Sequence, residues 1–125
     1  PTSTVSSRWP AGDLFCLTSG GKGRFEPLEV KGVAPAECGG PVLLRPENQP
    51  LSFLEMVHPS DDRGATIQWI DGQLATRYPV LTERLEKGVI RRSRLQAIFL
   101  PREHDNEVAL ELYKQFAASP APLTT

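Results

Sequence analysis

Residues 32–50 set the tightest limit on what this chain can become. Pro35, Pro41, Pro46 and Pro50 fall there, with Gly39-Gly40 between them. A proline inside a helix removes a backbone donor and clashes with the preceding turn, at about 3 kcal/mol, so no long helix survives that density. Only short pieces fit: one helical turn near Pro35-Ala36-Glu37 and another near Val42-Leu43-Leu44. Regular structure must therefore be laid out on either side of this stretch. The chain has 125 residues, which suits one compact domain with its own core. Its 12 prolines and 10 glycines fall short of a low-complexity composition.

On the N-terminal side, residues 1–12 are polar and lack periodicity, and read as a flank with Trp9-Pro10 at the domain edge. Leu14-Phe15-Cys16-Leu17 is a short apolar run, and Arg24 to Val30 is a second extended segment. Two such runs around Gly20-Gly21-Lys22-Gly23 predict a β-hairpin. The glycine-rich stretch lacks the spacing and following helix of a phosphate-binding loop, so it reads as a turn.

On the C-terminal side, Leu51 to Val57 is apolar and is stopped by His58-Pro59-Ser60-Asp61-Asp62. Ser60, Asp61 and Asp62 are residues that cap helix starts, accepting hydrogen bonds from free amides and opposing the positive end of the helix dipole. A helix is predicted from about Arg63 to Ala75, because Ile67, Ile70 and Leu74 recur at spacings of three and four. Tyr78 to Glu86 reads as extended, Lys87-Gly88 as a turn, and Ile90 to Leu100 as a strand closed by Pro101. In that strand Leu95, Ala97 and Phe99 share one face, while Ile98 and Leu100 share the other with Gln96. His104-Asp105-Asn106 reads as a turn. Val108, Leu110 and Leu112 alternate with Ala109, Glu111 and Tyr113, which predicts a strand over 107–117, with helix as the rival from its Glu, Ala, Leu and Lys content.

Chemistry-bearing residues are few. Cys16 and Cys38 cannot close a four-ligand zinc site alone, and no metal-ligand spacing links them to His58 or His104. They read as reduced thiols of a cytoplasmic domain, Cys16 as a small buried apolar residue. No nucleophile–base pair stands out, so no catalytic residue and no metal ligand is assigned. The net charge is −1, spread as a slight negative excess over 1–62 and a slight positive one over 63–125. That balance predicts neither phosphate nor anionic-lipid attraction. The arginines Arg84, Arg91, Arg92 and Arg94 have no interleaved aromatics, so nucleic acid is not an expected partner. No apolar run approaches the roughly 18 residues of a membrane span.

The order of these elements is similar to the PAS domain family. The stretch Phe53-Leu54-Glu55-Met56-Val57-His58-Pro59-Ser60-Asp61-Asp62-Arg63 resembles that family's apolar–His-Pro-x-Asp-Asp/Arg segment ahead of its connecting helix. Glu83-Arg84-Leu85-Glu86-Lys87-Gly88 resembles its approach to a hairpin, and Pro35-Ala36-Glu37 falls where it has a short turn helix. The resemblance covers about residues 13–117 and leaves 118–125 as a linker. It implies an α+β fold: a PAS-like five-stranded antiparallel sheet with a helical crossover between strands 2 and 3. It further implies a ligand pocket lined by Phe53, Met56, Ile67, Trp69, Ile70 and Phe99.

The function implied is a non-catalytic sensory or regulatory module of a larger signalling protein. Such a module relays the binding of a small molecule or partner to an effector domain in the same chain, and commonly works as a homodimer. No cofactor is assigned. Glu37-Cys38-Gly39-Gly40 departs from the segment that forms a flavin–cysteine adduct, and the expected helix carries no histidine for haem. The alternative is a ligand-free protein–protein interaction domain of α+β build, its sheet face bearing Tyr113, Phe116 and the arginines. A small enzyme whose distant residues converge only in three dimensions is a third.

Overall fold

A computed structural model describes residues 2–17, 23–32, 34–59, 64–81 and 95–119. Nine strands and one helix are present among them. The strands are β1 (Thr2–Trp9), β2 (Gly12–Leu17), β3 (Phe25–Pro27), β4 (Ala36–Cys38), β5 (Val42–Pro46), β6 (Leu51–Val57), β7 (Ala65–Ile70), β8 (Gln73–Leu81) and β9 (Leu95–Pro101). The helix is α1 (Asp105–Ala118).

The strands form two antiparallel sheets. One is four-stranded in the order β1-β8-β7-β4, the other five-stranded in the order β3-β2-β5-β6-β9. The five-stranded sheet is the middle layer. One of its faces sends Leu14, Val42, Leu44 and Phe53 against Cys38, Ile67 and Leu74 of the four-stranded sheet. Its other face sends Leu17, Phe25, Leu43, Leu54, Met56 and Leu100 against Ala109 and Tyr113 of α1. Double coverage explains why Val42–Leu44 reads as a continuous apolar run and why Phe53–Val57 is apolar apart from Glu55, whose carboxylate is paired between the sheets. A strand buried on both faces has no polar alternation to display. Breaker-rich residues 32–50 thus hold two strands, β4 and β5, where helical turns were expected. Prolines bound these strands rather than interrupt them.

This architecture overturns the PAS-like α+β expectation, since the described residues form two antiparallel sheets with no helical crossover between their strands. The helix expected over 63–75 is the β7–β8 hairpin, with Ile70 paired to Gln73 across a two-residue loop. Asp71 and Gly72 have φ of 51° and 74°. Positive φ at both positions is what a type I′ hairpin turn requires, and Asp-Gly is a preferred pair for it. Ile67, Ile70 and Leu74 match a helical spacing only because the hairpin turn falls between the last two. Ser60, Asp61 and Asp62, expected as caps, lie outside the described residues, and the segment after them is strand.

Residues 107–117 are helical rather than extended. Asp105, Ala109 and Tyr113 are buried four residues apart, whereas Val108, expected on a buried strand face, is exposed. Asp105 and Glu107 in the first turn oppose the helix dipole. Thr2–Trp9, read as flank, is a full strand paired with β8 from Thr2↔Leu81 to Trp9↔Leu74. The hairpin predicted from residues 14–17 and 24–30 is present as β2 and β3, which pair from Phe15↔Pro27 to Leu17↔Phe25. The strand expected over 90–100 is described from Leu95 and has its buried face at Ile98 and Leu100. The hairpin over Glu83–Gly88 and the basic cluster of Arg84, Arg91, Arg92 and Arg94 lie outside the described residues.

Candidate functional site

The two cysteines are joined in a disulfide, with Cα atoms 6.1 Å apart. This corrects the expectation of reduced thiols. Cys16 lies on β2 of the middle sheet and Cys38 on β4 of the outer one, so the bond ties the two sheets together. A zinc reading through these cysteines also lapses, because their sulfurs are bonded to each other. Among the described residues no three His, Cys, Asp or Glu side chains gather as a metal site. His58 is buried, with Nε2 3.2 Å from the Ser119 carbonyl oxygen and its ring edge-on to Phe116. His104 is exposed, 3.6 Å from Glu103.

Between residues of the two sheets lies an open cleft of about 600 Å³. Gly12, Asp13, Leu14 and Phe15 of β2 form one wall, Trp69 and Leu74 of the β7–β8 hairpin a second, and Pro27 to Val30 a third. The third wall follows β3 and is held at two points. The Leu28 amide donates to the Leu14 carbonyl at 2.8 Å, and Trp69 Nε1 donates to the Val30 carbonyl at 2.9 Å. Residues 28–30 therefore bridge the sheets instead of closing over the space between them. Gly12 is required where β2 meets β5, since a Cβ there would sit on the Arg45 carbonyl oxygen.

The lining is mostly apolar, from Leu14, Phe15, Leu28, Val30, Trp69 and Leu74, with Asp13 and Glu29 as its carboxylates. Glu29 lies 3.5 Å from Lys31 in a fully solvated pair, which contributes little. The Phe15 wall is braced from outside: the Arg45 guanidinium lies 4.4 Å from its ring centroid. Arg45 in turn donates twice to Asp105 at the start of α1, at 2.8 and 2.7 Å. Ser52 Oγ donates to the same carboxylate at 2.6 Å, and Arg102 donates to Ser52 Oγ at 3.0 Å. Burial pushes the Asp105 carboxyl up. Its bonds from Arg45 and Ser52, the Arg45 charge and the Asn106 amide outweigh this and hold it below the usual carboxylate range. The bond to Asp105 raises the Arg45 pKa in return, against its own burial and with help from the charges of Asp105 and Asp13. A second buried carboxylate, Glu55, accepts from Thr76 Oγ1 at 2.8 Å and Tyr78 OH at 3.1 Å between the sheets.

The six residues expected to line a pocket are dispersed. Trp69 lines the cleft. Ile67 and Phe53 lie in the intersheet core, Phe53 stacked on Trp9 at 4.7 Å. Met56 faces α1. Ile70 is half-buried beside the hairpin turn, and Phe99 is exposed, edge-on to Phe53 at 4.6 Å. Sequence reasoning missed Leu14, Leu28, Val30 and Leu74 as lining. The signal for Leu74 was Asp71-Gly72, which turns the chain so that Leu74 lands opposite Trp69. The alternation of Leu28 and Val30 after the first hairpin was the signal for the third wall.

No protein-family model, curated protein or solved structure matches the chain. Among the described residues no helix is long and apolar enough to cross a membrane.

Proposed function

We propose that this domain is a non-catalytic binding module whose ligand, a small molecule with an apolar body, sits in the cleft beside Trp69. The observation that carries this reading is the cleft itself. Its volume of about 600 Å³ lies within the roughly 300–1,000 Å³ of small-molecule sites. Six apolar side chains line it; Leu14 and Phe15 stand on β2, which the disulfide ties to β4, and the Phe15 ring is braced by Arg45. A rigid frame of this kind limits the ordering cost of binding.

The disulfide supports a workplace that is oxidising, since thiols in a reducing compartment are kept apart by exchange with cellular dithiols.

Nile red tests the reading. Wild-type protein is expected to enhance and blue-shift its emission. Leu28→Glu, which places a charge in the apolar wall, is expected to abolish the change while its urea midpoint reports an intact fold. Phe99→Lys, remote from the cleft, is expected to leave it intact. No enhancement with wild type, or enhancement lost in Phe99→Lys and kept in Leu28→Glu, refutes the assignment.

A further inference from the structure

Strand β9 ends the five-stranded sheet, and among the described residues nothing pairs with its outer edge. Its sequence, Leu-Gln-Ala-Ile-Phe-Leu-Pro, carries no charge over seven residues. Edge strands of soluble proteins are normally blunted by lysines, inward charges, bulges or internal prolines, because a free ladder of amides and carbonyls recruits other strands. Here Pro101 stands only at the end. On the face turned toward the four-stranded sheet, Phe99 is 63% exposed and Leu51, diagonal to it on β6, is 39% exposed. Ala97, between them and the start of the strand, is exposed as well.

We propose that β9 pairs antiparallel with β9 of a second copy of this chain, about a two-fold axis at Ile98. The strand is complementary to itself in that register. Ala97 of one copy falls opposite Phe99 of the other, so each exposed ring covers a methyl group instead of meeting another ring. The cross-strand row then runs Phe53, Phe99, Ala97, Glu55 across both copies, given that Phe53 pairs with Phe99 and Glu55 with Ala97 within each. Both helices remain on one side of the joined sheet. The strand has no charge that would select an oppositely charged partner, which favours a second copy over a different protein. A single seven-residue ribbon buries less than the roughly 1,200 Å² of a standard stable interface, so the dimer is reversible and concentration-dependent.

Sedimentation velocity on the full chain across a concentration series tests this. Wild type is expected to shift from monomer to dimer as concentration rises. Phe99→Lys and, separately, Ala97→Lys place two like charges near the axis and are expected to weaken dimerisation at least about tenfold. Ala97→Lys is expected to keep the wild-type urea midpoint, and Phe99→Lys, which also gives up the ring contact with Phe53, is expected to lower it slightly while unfolding remains cooperative; either variant suffices if the other does not fold. A wild type that stays monomeric to millimolar concentration overturns the proposal. So does a dimer that both folded lysine variants leave unchanged.

Discussion

Removing the disulfide isolates what holds the two sheets together. Cys16 and Cys38 are 22 residues apart in sequence. Closing a loop of that length in the unfolded chain removes about 11 cal/mol/K of entropy, or about 3 kcal/mol at 25 °C. The double variant Cys16→Ala/Cys38→Ala is therefore expected to lose about 3 kcal/mol, a large share of the stability of an ordinary domain. With a denaturant slope of about 1–3 kcal/mol/M, the urea midpoint falls by about 1–3 M. The loss has a location as well as a size. Strand β4 is a three-residue edge paired only from Ala36↔Ile67 to Cys38↔Ala65, so its amides are expected to lose exchange protection first. Two measurements can refute this reasoning. One is a thiol assay on unreduced, denatured protein that finds two free cysteines. The other is a double variant whose urea midpoint stays within about 0.3 M of wild type, which the expected loss excludes.

Other expectations follow from the packing. Asp105→Asn leaves Arg45 without its carboxylate and is expected to cost about 2–4 kcal/mol at neutral pH by urea unfolding. Because the Asp105 pKa is depressed on folding, the stability it contributes is fully present above its unfolded value of 3.8 and is lost as pH falls through the lower folded value. Wild type should therefore show an acid-dependent loss there that Asp105→Asn lacks; parallel pH profiles argue against the pairing. Gly12→Ala drives a methyl group into the backbone of β5, and is expected to cost more than the roughly 1–3 kcal/mol of ordinary overpacking. A thermal midpoint equal to wild type would show that β2 and β5 are not so close.

Much of the strand content was legible where one rule acted alone. The first hairpin and the strand ending at Pro101 follow from short apolar segments between breakers, whereas the apolar run at 51–57 carried no strand assignment and is β6. Errors arose where two rules gave opposite answers. In residues 65–75 the three-and-four spacing of Ile67, Ile70 and Leu74 competed with Asp71-Gly72, and the local turn geometry won. In residues 107–117 alternation competed with helix propensity, and propensity won because the sheet face needed a cover that only a helix supplies. The breakers at 32–50 correctly excluded a long helix but concealed two strands, since prolines at strand ends look the same as prolines in loops. The cleft was not legible beyond Trp69. Its walls come from three segments far apart in sequence, brought together by a disulfide and a sheet order that no local pattern encodes.

The cleft beside Trp69 is the central claim, and the chain's two tryptophans give a direct measurement of it. Trp69 lines the cleft with its indole N–H bonded to the Val30 carbonyl, whereas Trp9 stacks on Phe53 one strand further out, behind the lining residue Leu74. A ¹H–¹⁵N correlation spectrum titrated with a soluble aromatic alcohol resolves one indole signal for each, assigned by Trp69→Phe. The expected result is a saturable shift of the Trp69 signal that exceeds any shift of the Trp9 signal. A shift of Trp9 alone, or no shift of either at millimolar ligand, contradicts it.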